Sequence, residues 1–181
     1  HRHRHIGLGN HRRHAIGHGG ARLGEVIEAG EAARHWTINA GNTERFHDLA
    51  HLDPGADARA IASILRGAPR SLPFTVSVME RHPQGSQAFM PLFDGGAADR
   101  AVRTYLVVVA PRGPAPNARQ LRCFIAQPHQ GVNYAAGVWH HPLLALHETS
   151  DFLVLDREGP GANCDEVDVD PPAVIELPAR D

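Results

Sequence analysis

The run LPFTVSVMERH, residues 72–82, sets Leu72, Phe74, Val76 and Val78 on one parity, and Glu80 and His82 continue it. Successive side chains of a strand point to opposite faces, so residues of one parity share a face. This reading predicts a strand with an apolar floor that ends in an acid and an imidazole. Neither group is buried without a partner at acceptable cost, which makes that end of the strand a candidate for chemistry.

Outward from it, short β-prone runs recur between turn signals: Glu25 to Glu28, Trp36 to Asn39, Phe74 to Glu80, Gln87 to Leu92, Tyr105 to Val109, Leu121 to Ala126 and Phe152 to Leu155. Pro and Gly clusters at Pro69 to Pro73, Asp94 to Gly96, Pro111 to Pro116 and Gly159 to Gly161 separate them and read as loops. The pattern predicts an all-β sandwich or barrel. One helix is expected within His51 to Arg66, where Ile61, Ile64 and Leu65 have helical spacing, although Pro54 and Gly55 interrupt its start. No repeat of fixed period appears.

A chain of 181 residues with 42% hydrophobic and 21% charged residues suits one packed domain, expected over residues 23–181. Residues 1–22 are so rich in His, Arg and Gly that they offer no periodic apolar face, and a disordered arm is expected there. The net charge of -2 gives no broad basic field, so nucleic acid is not an expected partner. The longest apolar run, Tyr105 to Ala110, has the length of a strand and not of a membrane span. The N-terminal tract lacks the continuous apolar segment of a secretory signal, and Cys123 and Cys164 are far from CxxC spacing. A cytoplasmic protein with reduced thiols is the expectation.

Five residues beyond His82 comes Gln87, and the run GVNYAAGVWHHPLLAL, residues 131–146, supplies His140 and His141. If folding joins these runs, an acid, imidazoles and an amide would suit a divalent ion or proton transfer near neutral pH. Spacing alone does not choose between them. The plainer alternative is a solvated Glu80, a turn histidine at position 82, and His140 and His141 bonded to nearby carbonyls. No GxSxG elbow, GxxxxGK[ST] loop or GxGxxG after a strand is present.

INAGNTERFHDLA at 38–50, ERHPQGSQAFMPL at 80–92 and QGVNYAAGVWHHPLLAL at 130–146, in that order, resemble the ureidoglycolate lyase family. The shorter GEVIEAG, DFLVLDR and NCDEV extend the likeness from about Gly24 to Asp168. The resemblance implies a mainly β, cupin-type jelly-roll barrel with few short helices and a pocket in its mouth, commonly in a homodimer. It also implies cleavage of ureidoglycolate to glyoxylate and urea in allantoin breakdown. Against the general cupin signatures, His82 and His140 stand at ligand positions. Glu80 replaces one imidazole and Gln87 the acid. The resemblance implies no cofactor with certainty; where an ion is bound, the four residues would form a weaker divalent site for nickel or another divalent ion.

For such a substrate, His140 or Glu80 is the expected base, His82 orients the hydroxyl, and Gln87 and Asn39 donate hydrogen bonds. Arg45 and Arg66 are candidates for gripping the carboxylate, because a guanidinium fork matches its two oxygens. His47, Tyr134 and His141 are expected to line the pocket or the dimer contact. Two other readings use the same inward residues: a metal-dependent cupin oxygenase or isomerase acting on a small hydroxy acid, and a non-catalytic module that binds such an acid.

Overall fold

The computed structural model describes residues 4–6, 8–9, 15–18, 21–93 and 97–176. Among them, strands dominate and the helical segments are short 3-10 stretches of three to seven residues, as expected for a mainly β chain. One sheet has the order β1 (Arg4–Ile6), β16 (Asp165–Ile175), β8 (Phe74–Arg81), β13 (Trp139–His140), β10 (Tyr105–Ala110), β11 (Arg122–Ala126), β2 (Leu8–Gly9), with β14 (Leu144–Ala145) also paired to β10. The other runs β3 (Ala15–His18), β4 (Ala21–Ile27), β12 (Gly131–Tyr134), β9 (Gln87–Pro91), β15 (Ser150–Glu158), β7 (Arg59–Gly67). A separate hairpin joins β5 (Arg34–Ile38) and β6 (Thr43–His47). β1, β2 and β3 fall in the His- and Arg-rich arm. The remaining arm positions before Ala21, with the disorder expected of them, lie outside the described residues.

The two sheets face each other across one apolar cluster to which Tyr105, Val107 and Val109 contribute from the first sheet and Phe89, Val132, Tyr134, Phe152 and Val154 from the second. Leu106, Val108 and Ala110 point the other way, into a second cluster with Val76, Met79, Cys123, Trp139, Ala173 and Ile175. β10 is therefore buried on both faces, which explains why YLVVVA reads as an unbroken apolar run and not as alternation. This is the cupin-like sandwich that the resemblance implies.

Two expectations are corrected. Residues 59–67 form a strand and not the second half of a helix: β7 pairs with β15 along its length, from Arg59↔Glu158 to Gly67↔Ser150. Being at the sheet edge, it leaves Ile64 56% exposed, so the spacing of Ile61, Ile64 and Leu65 records no buried helical face. The second correction concerns the floor beneath Glu80. Val76 and Met79, three apart, enter the same outer cluster, and Leu72 and Phe74 pack against it. Regular alternation is broken between them, where the register of β16 against β8 slips between Asp168 and Ala173. The slip spans Pro171 and Pro172, which have no N–H to give to a ladder. Glu80 and His82 thus leave the face of Val76 and project toward the space between the sheets.

Candidate active site

Register brings the two separated motifs together. His140 on β13 is the direct partner of Glu80 on β8, so both side chains stand on the same face. The turn between β12 and β13 fixes the approach: Gly137, at φ 77°, donates its N–H to the carbonyl of His82 at 2.9 Å. A side chain there would be strained, which accounts for glycine in the run AAGVWHH. Gly24 makes a comparable allowance on the other sheet. Opposite Tyr134, its α-carbon lies so close to Asn133 that a Cβ would come within 1.9 Å of that carbonyl oxygen.

One donor atom each from Glu80, His82 and His140 falls within 4.8 Å of the others. The His82 and His140 rings have centroids 5.2 Å apart, and His82 Nε2 is 3.8 Å from Glu80 Oε1. His82 Nδ1 lies 2.7 Å from the carbonyl oxygen of Asn163. A carbonyl only accepts, so Nδ1 carries a proton, and Nε2 is buried with no hydrogen-bond partner among the described residues. His140 Nδ1 lies 3.3 Å from the carbonyl of His141, and its Nε2 is likewise buried and unpartnered there. Two imidazoles and a carboxylate with unused lone pairs are the donor set of a divalent first-row ion, so these three residues fit the ion that the cupin resemblance implies.

Electrostatics separates the groups. Burial raises the Glu80 carboxyl above its ordinary value, opposed by His82 and reinforced by Glu166, so it holds a proton more readily than a surface acid. Burial, with His82 adding to it, pushes His140 down to about 3, which keeps that imidazole neutral at physiological pH. Tyr134, 6% exposed, stacks on His140 with a centroid distance of 4.2 Å and an interplanar angle of 1°. The stack covers one face of the His140 ring. Cys164 donates its thiol to Glu80 Oε2 at 3.8 Å.

Gln87 enters from the second sheet as the register partner of Tyr134. Its Nε2 donates to Asp156 Oδ2 at 3.2 Å, while its Oε1 is buried without a partner among the described residues. Asp156 is absent from the candidates drawn from sequence. Set in DFLVLDR, it reads as one more position of an apolar strand, and only the register of β15 against β9, Leu155↔Ala88, puts it beside Gln87.

The other candidates have different partners. Asn39, Arg45 and His47 lie on the β5–β6 hairpin: Asn39 Nδ2 donates to Thr43 Oγ1, and Arg45 and His47 lie against Trp36 at 5.7 and 4.9 Å. Arg66 forks onto Asp151 at 2.7 and 2.9 Å on the exposed edge strand. His141 meets Phe74 edge-on at 5.3 Å and, with Tyr134, Phe89 and Tyr105, lines a small cavity. The structure therefore brings Glu80, His82, His140 and Tyr134 together, with Gln87 opposite Tyr134 on the neighbouring strand.

A model of the ureidoglycolate lyase family matches residues 18–176, a span that contains every one of these residues. The chain belongs to the ureidoglycolate lyase family. It is 54% identical over 149 residues to a ureidoglycolate lyase of Burkholderia cepacia, covering 81% of this chain and 78% of that one. A Rhizobium etli ureidoglycolate lyase is 49% identical over 161 residues, covering 88% and 90% of the two chains. One from Pseudomonas syringae pv. tomato is 48% identical over 147 residues, covering 81% of each. Among the described residues of this ureidoglycolate lyase family member, no helix is long and apolar enough to cross a membrane.

Proposed function

We propose that the chain is a carbon–nitrogen lyase that cleaves ureidoglycolate to glyoxylate and urea. The observation that carries the reading is the cross-strand pair of Glu80, a carboxyl held up by burial, and His140, an imidazole held neutral, in a chain of this family. Two titratable groups driven apart by their surroundings take different roles, and here Glu80 moves the proton while His140 stays neutral beside it.

In the reaction the carbinol O–H and the C–N bond break, while a C=O and an N–H form, so one proton moves from oxygen to nitrogen and nothing is oxidised. Glu80 takes the hydroxyl proton and returns it to the departing urea nitrogen. Its raised affinity for a proton favours the first transfer over that of an ordinary carboxylate. His82, its ring fixed by Asn163, and neutral His140, whose Nε2 is an acceptor, orient the carbinol hydroxyl before its proton leaves. His82, His140 and one oxygen of Glu80 would hold a divalent ion such as nickel, which would supply Lewis acidity, while the other Glu80 oxygen moves the proton. Tyr134 walls the mouth. By family resemblance, the catalytic unit spans residues 23–181, works as a cytoplasmic homodimer, and serves allantoin breakdown.

The test is anaerobic incubation of the full chain with ureidoglycolate, with glyoxylate and urea both measured. Equimolar release without oxygen is expected, falling after chelation and returning when a divalent ion is restored. Absence of urea, or a requirement for oxygen, would overturn the lyase reading in favour of the binding module or the oxygenase.

A further inference from the structure

Gln87 and Asp156 are adjacent on β9 and β15, one step beyond the pair Leu155↔Ala88, and they follow the parity of Phe89 and Val154, which face the space between the sheets. A carboxylate only accepts, so the 3.2 Å contact to Asp156 Oδ2 fixes which end of the Gln87 carboxamide is which: nitrogen toward Asp156, oxygen away. That oxygen is buried and has no donor among the described residues. A buried acceptor left unpaired costs about 1–3 kcal/mol, which a ligand N–H would recover. The sequence suggests Gln87 as a donor. In the structure its Nε2 donates to Asp156, and Oε1 is the atom left without a partner among the described residues.

We infer that Asp156 is a positioning residue that orients Gln87 so that its Oε1 accepts a hydrogen bond from the ureido N–H of the substrate. The inference rests on the lyase reading and deepens it, because it assigns recognition of the urea half of the substrate to the second sheet. The first sheet carries the groups that act on the carbinol. A hydroxy acid without the ureido nitrogen offers Gln87 no donor. Selectivity for ureido acids over simple hydroxy acids is the property this pair supplies.

Two unreactive probes separate the halves: ureidoacetate, which has the ureido group and no carbinol, and glycolate, which has the hydroxy acid and no ureido group. Their affinities would be measured by calorimetry on the full-length chain and on Asp156→Ala, Gln87→Met and the double variant. Each single variant should weaken ureidoacetate about tenfold, as loss of one oriented hydrogen bond implies, while glycolate changes less than about twofold. The double variant should be no weaker than the singles by more than about twofold, because both remove the same contact. Equal loss of both probes, as a shared ion or a collapsed pocket would give, overturns the inference, and so does unchanged ureidoacetate affinity. Should Asp156→Ala fail to fold, Gln87→Met against both probes decides it. A wild-type chain that releases no urea from ureidoglycolate defeats the lyase reading itself, whereas one that cleaves ureidoglycolate but binds ureidoacetate equally well after Gln87→Met defeats only this inference.

Discussion

Replacing Glu80 by Gln is expected to lower turnover of ureidoglycolate by on the order of 10²–10⁴, the usual contribution of one positioned proton-transfer group. The substitution keeps the shape of the side chain and its place opposite His140, so the strand pairing that builds the mouth persists. What it removes is the carboxylate that burial makes unusually ready to take a proton. The corresponding measurement is steady-state turnover beside thermal unfolding. A variant that melts near the wild type and is nearly inactive supports the role, and a folded variant with unchanged turnover removes Glu80 from it. Loss at saturating substrate, and not merely a raised KM, is the expected signature of a group acting in the transition state.

The largest expected effect on stability is at Tyr134. Its ring lies in the cluster between the sheets, stacked on His140 at 4.2 Å and edge-on to Phe89 at 6.0 Å. Truncating a buried aromatic to Ala typically costs about 3–5 kcal/mol, through lost burial and the cavity left behind. Tyr134→Ala should therefore shift the denaturant midpoint sharply. Tyr134→Phe keeps the stack and the burial, so it should cost far less, on the order of 1 kcal/mol. Similar losses in the two variants would mean that the hydroxyl, and not the ring, does the holding. The ring also encloses His140, so the Ala variant should admit water to an imidazole whose neutrality depends on burial.

Much of this architecture is legible in the sequence because apolar side chains record the faces they cover. YLVVVA is continuous because both faces of β10 are buried, and the expected runs around Glu25, Phe74, Gln87 and Phe152 are all strands. The pairing of Glu80 with His140 is legible only as a convergence. Their register depends on a turn whose Gly137 bonds the carbonyl of His82, and a single sequence does not encode that contact locally. Edge strand β7 escaped recognition because its outer side chains meet solvent, leaving accidental helical spacing as the visible pattern. The break in β8 escaped for a related reason: the prolines that cause it lie on β16, ninety residues away in the chain, so alternation within LPFTVSVMERH seemed unbroken. Asp156 was hidden inside an apolar strand, where one acid carries no motif. Only the second sheet's register gives it a partner.

We propose that one mouth between the sheets holds the reacting carbon at Glu80 with the ureido group directed to the opposite sheet. A crystal structure with ureidoacetate bound measures this most directly. The expected result is the probe between β8 and β9, its carboxylate-bearing carbon beside Glu80 and His140 and a ureido nitrogen within hydrogen-bond reach of Gln87 Oε1. Ureidoacetate bound outside the barrel, or inside it with Glu80 and His140 untouched, would contradict the account.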